Sequence, residues 1–163
     1  MKLPSFDPVL ALRRLVEHRV EFVVIGGIAG RLLGSPTVTN DLDICYARND
    51  ENHAHLAEAL VSLNARLRGV DEEVPLQLDA KTIANGDSFT FITDAGSLDI
   101  LGTPSGTNGF EDLVRTATDV NLDGITVKVC DIEDLLRMKR ASARPKDLIE
   151  VEVLNAVREE LGS

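Results

Sequence analysis

The sequence predicts a mixed α/β fold, with a sheet of mixed strand direction, helices mainly on one side of it, and two helices at the C-terminal end. Three observations carry this reading. Phe22-Val23-Val24-Ile25 is an apolar, β-branched run halted by Gly26-Gly27, as suits a buried strand. Residues 41–46 and 97–101 set acids into otherwise apolar strand-like runs, and leucines recur at helical spacing between these strands.

Taken in order, residues 6–18 read as a helix with Leu10, Leu12, Leu15 and Val16 available for packing. The strand 22–25 follows, then the glycine turn, a helix over 28–33 and the acidic strand 41–46. Asn49 or Asp50 caps a long helix over 51–67, where Leu56, Leu60, Leu63 and Leu67 repeat at helical spacing and Gly69 acts as the stop. Residues 70–86, with Asp71-Glu72-Glu73 and Pro75, read as an acidic loop holding a short helix near 80–84. Strands 88–93 and 97–101 form a hairpin around Asp94-Ala95-Gly96, whose glycine supplies the positive φ. A loop over 103–109 leads to a short helix over 110–116. Residues 120–122 and 125–130 make a second hairpin around Asp123-Gly124, a type I′ signal. Asp131 caps a helix that runs through Ala143, and Pro145 opens the last helix, with Leu148, Val151, Leu154 and Leu161 as its apolar face.

The chemistry sits at the start of this order. A helix beginning just after Gly26-Gly27 presents unpaired N–H groups and the positive end of its dipole, which is a site for phosphate. Asp41 and Asp43 lie two apart in a strand, so both point to one face while Leu42 and Ile44 point to the other. Two such carboxylates repel unless a divalent cation lies between them, and these hard oxygen ligands suit Mg²⁺ or Mn²⁺ rather than zinc. The alternative is an edge strand with a solvated polar face. Asp99 repeats the pattern of one acid in an apolar strand. Two metals about 3.5–4 Å apart can hold the attacking and leaving oxygens of a phosphoryl displacement. In that scheme Asp41 and Asp43 carry the metals, and Asp99 holds one of them while taking the proton of the attacking hydroxyl. The three acids should therefore lie together.

The order Gly26-Gly27, Asp41-x-Asp43, Asp99 resembles the nucleotidyltransferase superfamily that includes DNA polymerase beta. More narrowly the chain is similar to the small bacterial group related to AbiEii-type toxins. That likeness is carried by Val24-Ile25-Gly26-Gly27-Ile28-Ala29, Thr39-Asn40-Asp41-Leu42-Asp43, residues 91–99 and residues 138–147. The resemblance implies the nucleotidyltransferase fold and metal-dependent transfer of a nucleoside monophosphate from a triphosphate to an acceptor hydroxyl. It implies that Gly26 and Gly27 bind the β and γ phosphates and that Asp41, Asp43 and Asp99 form the metal triad for two Mg²⁺ or Mn²⁺ ions. It also implies a toxin whose acceptor is often RNA. The chain departs from relatives at Thr37, where an arginine is common, and the glycine pair lacks the serine that helps bind phosphate in many members.

Length and composition set the frame. The 163 residues are read as one domain with a core large enough to fold alone. One Tyr and no Trp make that core aliphatic. Cys45 and Cys130 lie in apolar runs and read as buried free thiols, which implies a reducing cytoplasm. No stretch approaches the ~20 apolar residues of a membrane span, and the N-terminus lacks the apolar segment of a signal peptide.

A net charge of −10 argues against gripping nucleic acid through the overall field. The basic island Arg137, Lys139, Arg140, Arg144 and Lys146 is the local exception. It reads either as a solvated helix face or as a group in which Lys139, Lys146 or the intervening Arg144 reaches the triphosphate or the acceptor. Arg31 reads equally as a phosphate contact or a surface residue. His53 and His55 splay to different sides of their helix and do not share a metal. His18 serves terminal carbonyls, and dipole stabilisation alone accounts for Asp147 in the first turn of its helix.

Two classes of function follow. One is a nucleotidyltransferase whose acceptor is a tRNA end, a protein side chain or a small cationic molecule, within a toxin–antitoxin system or outside one. The other is a catalytically silent module of the same fold that binds a nucleotide or a protein. Like charges clustered without metal weigh against the second. The small size leaves little room for acceptor binding, so a small acceptor, a protein partner or a second copy of the chain is expected to complete the site.

Overall fold

The central strand β1 (Phe22–Ile25) is buried along its whole length because it lies between two other strands with apolar side chains on both faces. The computed structural model describes residues 5–69 and 78–162. In chain order the elements around β1 are α1 (Pro8–Glu17), α2 (Gly26–Leu33), β2 (Asp41–Tyr46), α3 (Asp50–Ser62), β3 (Arg66–Leu67) and α4 (Ala80–Asn85). Then come β4 (Ser88–Thr93), β5 (Gly96–Leu101), α5 (Phe110–Val114), β6 (Thr118–Leu122), β7 (Ile125–Val129), α6 (Ile132–Ser142) and α7 (Pro145–Leu161). The seven strands form one mixed sheet in the order β3-β4-β5-β2-β1-β7-β6. β1 runs antiparallel to β2 and parallel to β7, and β2 runs parallel to β5.

Strand alternation divides this sheet into two unlike faces. Val24, Leu42, Ile44, Phe91, Leu98, Ile100 and Val129 share one face and are buried, joining Leu12 and Leu15 of α1 and Leu56 and Leu60 of α3 in the core. The opposite face carries Asp41, Asp43 and Asp99, all only partly buried. The apolar core also reaches the acid-bearing face at Val23, Ile25 and Cys45, and the acids stand beside it. Among the described residues no helix is long and apolar enough to cross a membrane.

Several boundaries depart from the sequence-based expectation. The helix after β1 begins at Gly26 itself, so the glycines form its first turn and do not precede it as a loop. The helix expected over 51–67 ends at Ser62. Asn64 takes the left-handed conformation (φ 52°) and its side chain donates to Asp94 Oδ2 at 2.6 Å. Leu67 then pairs with Phe91 at the sheet edge. The acidic loop expected over 70–86 lies outside the described residues up to position 77, and its helix appears as α4, capped by Asp79. The short helix expected over 110–116 stops at Val114. Both hairpins form as expected, with Gly96 at φ 95° and with Asp123 and Gly124 both at positive φ.

The last helix buries part of the expected face, Leu154 fully and Val151 partly, but Val157 joins them while Leu148 and Leu161 do not. Leu154 and Val157 are its buried apolar side chains, and they lie where a Cβ on Gly30 or Gly34 of the α2 side would touch them at 3.7 Å. Leu148 is 52% exposed and Leu161 57% exposed. Leu148 is turned away because six residues at 100° each carry it to another side of the helix from Leu154. Leu161 shares the side of Leu154 but lies a turn beyond Val157.

Candidate active site

Asp43 and Asp99 are register partners on the adjacent parallel strands β2 and β5, and Asp41 is paired with Ser97 one step away. Partners in register point to the same face, so the carboxylates at 41, 43 and 99 share one surface of the sheet. Asp99 thus stands beside the acidic pair, where the sequence reading requires it.

β1 brings the glycines to the same place. Ile25 pairs with Asp43, and Gly26 follows at φ +67°. A Cβ on Gly26 would lie 2.1 Å from Asp43 Oδ2, and one on Gly27 would lie 2.8 Å from Thr39 Oγ1. These glycines make room for the acidic strand and the turn before it. The first turn of α2 has no side-chain cap, so its N–H groups remain available to an anion.

The cluster is electrostatically loaded. Burial, then the hydrogen bond and charge of Asp99, then the charge of Asp41 push the Asp43 carboxyl up to about 8, against a smaller downward pull from Lys139. Burial and the two neighbouring acids thus favour the protonated form of Asp43 while no cation neutralises the cluster. Asp99 Oδ1 is buried and has no hydrogen-bond partner. An orphaned carboxylate oxygen beside a second carboxyl is the donor set of a hard divalent cation, and the residues present fit Mg²⁺ or Mn²⁺. Among the described residues no three His, Cys, Asp or Glu side chains close a cage, so a cation here would complete its shell with other oxygens, as Mg²⁺ commonly does.

The basic island separates into parts with different surroundings. Lys139 is within electrostatic reach of Asp43, and its Nζ lies 3.6 Å from Asp147 Oδ1. Arg144 donates through Nε to Asp147 Oδ2 at 2.7 Å. Arg137 is held by Asp112 and Asp134, each at 3.1 Å, and Arg140 reaches Asn155. Lys146 is exposed. Lys139 is thus near the acids, whereas Arg144 faces Asp147.

Asp147 needs more than the helix dipole to explain it, which corrects the sequence reading. Its side chain is 1% exposed, caps the first turn of α7 and accepts from Ser142 Oγ at 2.9 Å. Burial alone would raise its proton affinity, but hydrogen bonds from Arg144 and Ser142, with the charges of Lys139 and Arg144, outweigh it and hold Asp147 at about 2. A sequence signal existed: Pro145 and Asp147 occupy the first and third positions of a helix directly after a basic segment.

Thr37, where an arginine was expected, donates to Glu150 Oε2 at 2.8 Å while Ser35 donates to Glu150 Oε1 at 3.2 Å, tying the turn before β2 to α7. Arg31 donates to the Pro36 carbonyl. His53 is buried against Tyr46 in an edge-to-face contact, while His55 contacts the Arg19 carbonyl, so the two rings are apart. His18 caps α1 through its backbone, but its ring lies 3.9 Å from Glu58 and not on the terminal carbonyls. Cys45 and Cys130 are buried thiols, each pushed up to about 12 chiefly by burial.

A mixed sheet whose central parallel strands present register-paired acids beside a glycine-led helix defines the fold as that of the nucleotidyltransferases. The chain superposes on the lincosamide antibiotic adenylyltransferase LnuA in its lincomycin-bound form with a TM-score of 0.62 at 13% identity, over 96% of this chain and 99% of that one. It superposes on a Thermotoga maritima structure assigned to the nucleotidyltransferases with a TM-score of 0.52 at 19% identity, over 98% and 96%. The antibiotic-resistance factor ANT(2'')-Ia gives a TM-score of 0.56 at 13% identity, over 94% and 84%. No protein-family model and no curated protein matches the sequence.

Proposed function

We propose that this chain is a metal-dependent nucleotidyltransferase that moves a nucleoside monophosphate from a nucleoside triphosphate to an acceptor hydroxyl, with pyrophosphate leaving. The observation that carries the reading is the register pairing of Asp43 with Asp99 beside the uncapped first turn of α2.

Asp41, Asp43 and Asp99 would hold two Mg²⁺ or Mn²⁺ ions. Bound there, the metal supplies charge neutralisation on the phosphates and lowers the pKa of the attacking hydroxyl. The other steps belong to the chain. Asp99 accepts the proton of the acceptor hydroxyl. The N–H groups at Gly26 and Gly27 meet the β and γ phosphates, and Lys139, steadied by Asp147, adds a positive charge to the same oxygens. Arg144 acts through Asp147, and Lys146 remains on the open side for phosphate or acceptor.

Two structural neighbours are an antibiotic adenylyltransferase bound to lincomycin and an antibiotic-resistance factor, and this favours a small acceptor. The net charge of −10 points the same way, since it opposes a polyanionic acceptor. The AbiEii-like stretches make a toxin–antitoxin setting, with tRNA or protein as acceptor, the competing context.

The test is thermal unfolding of the wild type and Asp43→Asn with Mg²⁺ alone and with each ribonucleoside triphosphate. A ligand at 100 times its Kd adds about 2.7 kcal/mol of stability. Stabilisation of the wild type that needs Mg²⁺ and is lost in Asp43→Asn is the expected outcome. If no triphosphate shifts the wild type, the silent binding module becomes the better reading.

A further inference from the structure

On the face that carries the acids, a second row of side chains runs beside the Asp43–Asp99 row. Asp41 pairs with Ser97, and Ser97 pairs with Ile92 of β4, so the three side chains line up across three strands. A cavity of about 290 Å³ opens over this row, walled by Phe6, Asn40, Asp41, Arg68, Ile92 and Ser97. It lies on the β5–β4 side of the acids, whereas Gly26 lies on the β1 side. A nucleotide whose phosphates sit at α2 therefore leaves this cavity free.

The lining has a definite chemistry. Phe6 and Ile92 make an apolar wall, and the main chain of Phe6 is held there because Gly96 has no Cβ; one would meet the Phe6 Cα at 3.0 Å. The wall is fixed by a hydrogen bond from the Asp7 N–H to the Ala95 carbonyl at 2.9 Å. Arg68 follows β3, and its N–H donates to the Thr90 carbonyl, which sets its side chain on the same face as Ile92 and Asp99. Among the described residues no ion pair engages its guanidinium, in contrast to Arg48, Arg137, Arg144 and Arg158, which are all paired with carboxylates. The cavity thus has one of the three acids, Asp41, at its inner end, an arginine that no carboxylate of the described residues engages at its mouth, and an apolar flank between.

We infer that this cavity is the acceptor subsite and that it takes a small hydroxylated ring compound bearing one anionic group, a phosphate or a carboxylate. The inference rests on the nucleotidyltransferase reading and deepens it. The hydroxyl lies toward Asp41 and Asp99, the ring against Phe6 and Ile92, and the anion on Arg68, which can hold it through two parallel N–H donors. A polycation is disfavoured twice. Arg68 repels it, and 290 Å³ lies at the low end of small-molecule sites, too little for several linked sugar rings.

The experiment is calorimetric titration of the full chain with ribose 5-phosphate, ribose, kanamycin and a short uridine oligoribonucleotide, in the wild type and in Arg68→Glu, Arg68→Lys and Phe6→Ala. Ribose 5-phosphate should bind the wild type at least tenfold more tightly than ribose, and Arg68→Glu should remove that margin while Arg68→Lys keeps part of it. Phe6→Ala should weaken ribose 5-phosphate and ribose alike. Oligonucleotide binding that depends on Arg68 and exceeds that of ribose 5-phosphate would place the same phosphate-bearing ring at an RNA terminus; the reverse order places it in a free small molecule. Preference for kanamycin, or ribose 5-phosphate binding indifferent to Arg68→Glu, overturns the inference. Stabilisation by Mg²⁺ and ATP, measured on the same proteins, should be equal in wild type and Arg68→Glu. Its absence from the wild type would sink the nucleotidyl-transfer reading, while the titrations would still judge the cavity.

Discussion

Nζ of Lys139 lies 3.6 Å from Oδ1 of the buried Asp147, and the same ammonium also draws down the proton affinity of Asp43. One cation on α6 is therefore shared between a carboxylate held at about 2 and one pushed up to about 8. Asp147 fixes where that cation stands, and the α6–α7 junction is coupled to the acidic strand through it.

Asp147→Ala should cost about 2–4 kcal/mol, since it strands Lys139 and Arg144 and removes the cap of α7. Asp147→Asn keeps most of the cap and should cost about 1 kcal/mol. Urea unfolding of both variants checks the difference. Nucleotide affinity should fall even in Asp147→Asn, because Lys139 loses its charged anchor; an unchanged affinity would confine Asp147 to capping.

The metal-free protein should lose stability as pH rises from about 4 to about 8. Asp43 has a folded value of about 8 against an ordinary 3.8, so the native state holds a proton that the unfolded state has released across that window. Asp43→Asn removes the effect and should stabilise the metal-free fold by about 1–2 kcal/mol at the alkaline end. Asp147 contributes in the opposite sense: its stabilisation is complete above the ordinary 3.8 and is lost as pH falls through about 2. Denaturant titrations at a series of pH values, with chelator present, test both signs.

A Mg²⁺ ion held by Asp43, as proposed, would compete with the proton there, so stabilisation by Mg²⁺ with a triphosphate should strengthen with pH through the region of 8. Adding chelator at pH 8 should lower Tm by more than it does at pH 6. Equal shifts at both values would mean that the cation does not displace the Asp43 proton.

Gly26→Ala places a Cβ 2.1 Å from Asp43 Oδ2 in a left-handed backbone position. The backbone strain costs about 1–2 kcal/mol, and the carboxylate must swing aside. The expected protein folds, unfolds at lower denaturant, and has lost its Mg²⁺-dependent response to triphosphate. Retention of that response would show that Asp43 can hold its ligand from another rotamer.

Much of the fold is written locally. β1 and β2 appear at the residues expected because a β-branched run stopped by glycines, and an acid-alternating run, leave little choice of structure. Both hairpins were legible from glycines that supply positive φ, and α6 from its Asp131 cap. The end of α3 was not, because helical leucine spacing continues to Leu67 while the chain turns at Asn64 to add an edge strand to β4. The buried face of α7 was likewise set by which side chains meet α2 and not by the apolar residues available.

For the site, the sequence by itself determined the ingredients: three acids in strands and a glycine pair heading a helix. Alternation within one strand is a local property, so Asp41 and Asp43 were legible as neighbours on a face. Only the tertiary structure decided that Asp99 is the register partner of Asp43, that Lys139 leans toward them, that Asp147 is buried beneath it, and that Arg68 is left facing a cavity next to Asp41. The register of parallel strands joined by a long crossover, and the partner of a long cationic side chain, depend on residues distant in the chain, and no local pattern encodes them.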